Sequence, residues 1–295
     1  MIGKLFINSL DAYSTYGLYV ANGGYRGLIS APELKDVPIN NWPDEDGIEA
    51  DLSDPALGSK EFVIDFYTSG SMTAIIDALK SSVYHEFDFA EIGLVKTLRY
   101  LSCDGYREVG ALKSLSIKFA DDFPFEGYAY SLPQGEGVTG FELDDIDLGV
   151  YEFRILQGTR DEIRKPAPVK KNLTVSYQKI NGVSYDDDSV YYDAKETTLK
   201  LHLCGDTTVF WSAYNALLYD LVRVGKRVLK HPDGLNDCFY KGCQAVEFAV
   251  TGDEIWCKLD LSLIFTMQPI QIIYILLSED GEAMITEEGQ LIQLL

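Results

Sequence analysis

The chain is written twice. A strand-then-helix stretch, KEFVIDFY (60–67) followed by TSGSMTAIIDAL (68–79), returns in the second half as ETTLKLHL (196–203) followed by CGDTTVFWSAYNALL (204–218). A repeat of this size dictates the architecture before any other feature does. Each copy is as long as an ordinary domain and far longer than the ~20–50 residues of a solenoid repeat.

The match extends in both directions. Upstream, YGLYV (16–20), APELK (31–35) and an acidic loop precede the first strand; LGVYEF (148–153), PAPVK (166–170) and a second acidic loop precede the other. Downstream, LRYLSC (98–103) matches CFYKGC (238–243), which sets Tyr100 against Tyr240, Cys103 against Cys243 and Leu98 against Cys238. LSIKFADDFP (115–124) then matches LSLIFTMQP (261–269). The expected organisation is two related domains, 1–125 and 126–268, and a C-terminal β extension, 269–295.

Local patterns give the fold class. Met72, Ile75, Ile76, Leu79 and Val83 form one apolar helical stripe, with Thr68, Ser69 and Ser71 as capping oxygens upstream. Phe210, Ala213, Tyr214, Leu217, Leu218 and Leu221 form another, capped from Asp206, Thr207 or Thr208. Elsewhere the period is two: Phe62, Ile64 and Phe66; Leu115, Ile117 and Phe119; Leu199, Leu201 and Leu203. Asn22-Gly23, Asp104-Gly105 and Asn181-Gly182 read as turns, and PQGEGVTG (133–140) as the linker opening the second copy. PIQIIYILL (269–277) reads as a buried strand, and 278–295 as two short strand-turn steps. The predicted class is α+β, mainly antiparallel β, with one helix flanking each sheet.

Candidate chemistry is thin. Cys238 and Cys243 lack the second close pair that a structural zinc site uses, and their spacing is too wide for a redox C-x-x-C. Because Cys238 stands opposite Leu98 in the repeat, both thiols read as small core hydrophobes. Five scattered cysteines make no disulfide framework, which points to free thiols in a reducing cytoplasm. His85, His202 and His231 fall in no catalytic or metal motif. The acidic loop 44–51 (DEDGIEAD) starts like a calcium loop, but the twelfth position from Asp44 is Pro55. It and the second acidic run, 185–193, read as solvated loops in which calcium is the open question. The sequence therefore names no catalytic, cofactor-binding or metal-binding residue and implies no cofactor.

A net charge of −21 argues against specific nucleic-acid binding and anionic membranes. No run approaches the ~20 apolar residues of a membrane span, and no signal peptide is legible in the first twenty residues.

Taken together, INSLDAYSTYGLYV (7–20), APELK (31–35), WPDEDGIEADLS (42–53) and the strand-helix stretch from Lys60 resemble prophage-encoded tail proteins such as those of gut Bacteroides. The family is the tail-tube and distal-tail (baseplate-hub) superfamily, and the likeness covers both copies; EDG-x4-TEEG (279–289) resembles a phage structural-protein ending. The resemblance implies tube-type β-sandwich or barrel domains, each with a flanking helix, in a ring around the DNA channel between tail tube and tail tip. Its implied partners are further copies of the chain, the tail tube and tail-tip proteins. The implied location is the virion tail, after synthesis in the host cytoplasm. DNA would pass through an acidic lumen without specific binding. Rings of this family are six-fold, so two domains per chain imply a trimer with pseudo-six-fold symmetry; a hexamer with one domain in the ring is the rival. No functional residue carries over from the family. Two other readings suit the tyrosines and acids: a carbohydrate-binding or surface glycan-binding protein, and a carboxylate-based glycoside hydrolase.

Overall fold

A computed structural model of the chain describes residues 1–295 except 111, 172–175, 185–189, 268–273, 276–292 and 295. The first half contains β1 (Phe6–Ile7), β2 (Leu10–Asp11), α1 (Ala12–Tyr16), β3 (Leu18–Val20), α2 (Arg26–Ile29), β4 (Ile39–Asn40), β5 (Glu49–Ala50), β6 (Lys60–Thr68), α3 (Met72–Lys80), β7 (Tyr84–Phe89), β8 (Leu94–Val109) and β9 (Leu112–Asp121). The second contains β10 (Glu142–Leu143), β11 (Ile146–Asp147), β12 (Arg154–Ile155), α4 (Thr159–Arg164), β13 (Lys195–Asp206), α5 (Thr207–Leu221), β14 (Arg227–His231), β15 (Gly234–Thr251) and β16 (Glu254–Phe265). A short pair follows, β17 (Tyr274–Ile275) with β18 (Gln293–Leu294). The chain is α+β and mainly antiparallel β.

Two seven-stranded sheets have the same order. The first runs β2-β1-β7-β8-β9-β6-β3 and the second β11-β10-β14-β15-β16-β13-β12. The correspondence reaches single residues. Asn8 and Ser9 take positive φ between β1 and β2, and Asp144 and Asp145 do so between β10 and β11, the backbone of a tight two-residue hairpin. Ser71 caps α3 through the N–H of Ala74, and Asp206 caps α5 through those of Thr208 and Val209. Lys60 donates through Nζ to the carbonyls of Leu28 and Ser30 at the end of α2; Lys195 does the same to Ile163 and Lys165 at the end of α4. Both lysines offset the orphan carbonyls of a helix C-terminus. Burial brings the Lys60 amine down to about 7 and that of Lys195 to about 8.

The predicted strand faces are the buried ones, and a single core runs from the first sheet through α5 into the second. Four details differ from the sequence reading. Tyr100 faces Phe119 while Tyr240 faces Leu263, so Leu115 corresponds to Leu259, two residues before the expected Leu261. A slip of two keeps every side chain on its face, so alternation alone does not resist it. Similarly, β3 corresponds to β12, a few residues beyond the expected LGVYEF, because Tyr19 pairs with Tyr67 and Arg154 with His202. Asp104-Gly105 is no turn: it marks a β-bulge inside the sixteen-residue β8. Val83 lies beyond α3 and is exposed. The strands expected at 269–277 and 278–295 fall largely outside the described residues.

Asp122 closes the first sheet. It receives Nε and Nη2 of Arg99 at 2.6 and 3.0 Å, Ser59 Oγ at 2.5 Å and the Tyr84 hydroxyl at 3.1 Å. These partners, led by Arg99, hold its carboxyl down at about 2. A carboxyl below its unfolded value of ~3.9 stabilises the fold above that pH, and the contribution fades as pH falls through about 2. The gap in urea midpoint between wild type and Asp122→Asn should therefore be full at pH 5 and close toward pH 2.

Candidate assembly interface

Strand β8 outruns its neighbour β7. Their pairing stops at Tyr84 opposite Arg99, so β8 continues with an edge facing away from β9. The second sheet has the same overhang, since pairing of β14 with β15 stops at Arg227 opposite Cys238. An overhanging edge presents unpaired backbone groups, and in the second sheet the first unit covers it. The segment after α2 lies antiparallel to β15, with Ala31 opposite Cys243. The Ala31 N–H donates to Cys243 O at 2.8 Å and that of Leu34 to Lys241 O at 3.0 Å. The Ala245 N–H donates to Ser30 Oγ at 3.0 Å, and the Tyr240 hydroxyl to Pro32 O at 2.7 Å. Tyr214 on α5 donates its hydroxyl to Ile29 O, and Trp211 its ring N–H to Ile92 O at 2.6 Å.

A second contact comes from the acidic loop. Asp46 Oδ1 accepts the Tyr192 N–H at 2.7 Å, while the N–H groups of Gly47 and Ile48 donate to Tyr192 O and Thr266 O at 2.8 and 2.9 Å. Lys170 Nζ donates to the carbonyls of Trp42 and Gly47 at 2.8 and 2.6 Å. Ile48 and Leu52 are buried against Phe239. The stretch that resembled a calcium loop thus serves as a fastening between the units. Most of the second acidic run, 185–189, lies outside the described residues.

The linker adds a third tie. Asp220 on α5, 3% exposed, accepts the hydroxyls of Tyr130 and Tyr151 at 2.7 Å each and Arg223 Nη1 at 2.7 Å. Phe125, Tyr128 and Tyr130 pack their rings on Tyr219.

The sequence's candidate chemical groups are occupied structurally. Cys238, Cys243 and Cys257 are buried, which pushes the first two thiols up to about 12. Cys204 is exposed and Cys103 half-buried with its thiol also raised by burial. A thiol reagent should therefore titrate Cys204 at once and Cys103 more slowly, with the remaining three reacting only after denaturation; fast reaction at Cys238 would contradict this packing. His85 uses Nε2 on Leu79 O at 2.9 Å and Nδ1 on the Asn8 amide at 2.8 Å. His231 bonds Asn236 Oδ1 at 2.9 Å and accepts the Asp233 N–H at 3.2 Å. His202 stands edge-on to Trp256. Among the described residues no group of three or more His, Cys, Asp or Glu is placed to hold a metal ion.

An open groove of about 1230 Å³ follows the junction, lined by Glu33, Lys60, Glu196 and Lys241 among others. Three of these charges are engaged: Lys241 pairs with Glu196 at 2.6 Å, and Lys60 caps α2. The surface row Tyr13, Tyr19 and Tyr67 has successive rings inclined by 61° and 46°, which is no flat platform for a sugar. No helix among the described residues is long and apolar enough to cross a membrane. No model of a known family matches the chain, and no curated protein matches it.

Proposed function

We propose that the protein is a non-catalytic structural component of a phage or prophage tail, of distal-tail or baseplate-hub type, which forms a ring around the DNA channel between tail tube and tail tip. The observation that carries this reading is the junction just described. Two units of one topology meet head to tail, the segment after α2 of one lying on the overhanging strand of the other. Contacts of this heterologous kind generate rings when their rotation closes. The net charge of −21 suits a channel wall that phosphate backbones must pass without sticking. Its partners are further copies, the tail tube and tail-tip proteins. Particles released by prophage induction from a strain carrying the gene, purified and analysed by mass spectrometry, test the reading. The protein should be present in the tail fraction in a fixed ratio to the tube protein. Its absence from intact particles would overturn the proposal.

A further inference from the structure

The junction within the chain uses one edge of each unit and leaves one copy of each unused. We infer that the overhanging edge of β8 in one molecule receives the 165–169 segment of a second copy, and Leu57 of that molecule receives the second copy's 181–183 loop tip, in the same way that β15 and Tyr192 receive the first unit. This deepens the ring reading by naming its contact surfaces, and rests on that reading only for closure of the ring.

The donor side is preformed. Lys60 and Lys195, Leu34 and Val169, and Leu57 and Tyr192 all lie 135 positions apart. In the first unit Leu34 is bridged to Leu57, flanked by Lys35 N–H to Ala56 O and Gly58 N–H to Glu33 O. In the second, Val169 is bridged to Tyr192, flanked by Lys170 N–H to Tyr191 O and Asp193 N–H to Pro168 O. In such an antiparallel pair the central residues turn their own N–H and C=O outward. Leu34 spends its N–H on Lys241 of β15. Val169 is 51% exposed, and among the described residues nothing accepts its N–H.

The loop tip repeats too. Asp46-Gly47-Ile48 corresponds by the same count to Asn181-Gly182-Val183, and both glycines take positive φ. Ile48 is 9% exposed because the second unit covers it, whereas Val183 is 62% exposed. Asn181 offers a side-chain oxygen where Asp46 supplies one to the Tyr192 N–H. The Tyr192 counterpart is Leu57, whose own N–H and C=O face away from Leu34 by the same rule.

The acceptor side is present and uncovered. Among the described residues no strand lies beside Tyr100–Val109 on the side away from β9. Tyr240 and Cys243 are buried under the first unit, while their counterparts Tyr100 and Cys103 are half-exposed. The Tyr100 hydroxyl stands ready for Ala167 O as that of Tyr240 meets Pro32 O. One difference matters. Pro166 replaces Ala31 and has no N–H, so the contact between molecules lacks one of the two strand hydrogen bonds of the contact within the chain. Association is accordingly the weaker of the two junctions.

Cysteine cross-linking tests this directly. In a Cys204→Ser background, Ala31→Cys should form a disulfide with Cys243 inside the chain, since directly opposed antiparallel residues have the Cα spacing a disulfide needs. Pro166→Cys should instead link to Cys103 of another molecule under mild oxidation, giving covalent dimers and trimers that vanish in Cys103→Ser. Val183→Asp, at an exposed site that leaves the fold unaffected, should cut the cross-linking rate at least tenfold. Pro166→Cys chains that stay uncoupled at high concentration while the Ala31→Cys control closes would overturn the inference, as would cross-linking insensitive to Cys103→Ser or Val183→Asp. Either result with the protein present in particles leaves the tail reading standing, whereas absence from particles with intact cross-linking overturns that reading alone.

Discussion

Replacing Tyr240 by alanine should destabilise the isolated chain by about 3–5 kcal/mol, the range for deleting a buried aromatic ring. The ring is 1% exposed, and its hydroxyl bonds Pro32 O across the junction. Tyr240→Phe isolates that hydrogen bond and should cost about 1 kcal/mol. The counterpart substitution, Tyr100→Ala, should cost only about 1 kcal/mol in the isolated chain because the ring is half-exposed. Its effect should appear instead in self-association. Urea denaturation of the variants measures the first three quantities. Equal costs at Tyr240 and Tyr100 would show that the two edges are not differently covered.

Gly47→Val should be the other severe change. Gly47 has φ +75°, a region that a β-branched residue enters only under strain, and a Cβ there would stand 2.1 Å from Thr266 O. That oxygen accepts the Ile48 N–H, so the loop cannot back away without losing a bond between the units. A loss of about 3 kcal/mol is expected from strain plus one or two hydrogen bonds. Limited proteolysis should then cut within residues 36–56 faster than in the wild type. The same substitution at Gly182, where a Cβ meets nothing within 4 Å, should cost only the backbone strain.

Sequence patterns carried a good part of the fold for physical reasons that can be traced. Phe62, Ile64 and Phe66 alternate because one face of β6 is buried, and Phe210 to Leu221 keep helical spacing because α5 buries a wide face. Strand register was less legible: two-residue slips preserve alternation, so LSIKF aligned plausibly with LSLIF although pairing sets Leu115 against Leu259. The junction was not legible from local pattern at all. It depends on β8 and β15 being longer than β7 and β14, a comparison between elements. Asp46 and Gly47 looked like solvated acid and turn because their partners, Tyr192 and Thr266, lie far away in sequence. Lys60 and Lys195 carried a usable signal: equal spacing from the equivalent segments, with a Lys-Glu pair kept at the start of both strands. CFYKGC (238–243), the stretch most suggestive of sulfur chemistry, is the covered edge itself, with Cys243 opposite Ala31.

Head-to-tail copies of this chain should close into a ring. Native mass measurement of the protein, free at high concentration and in detergent-released tail assemblies, tests it most directly. The expected species holds three chains of 33.0 kDa each, presenting six β units. A monomer in every context, including the assembled tail, would contradict it.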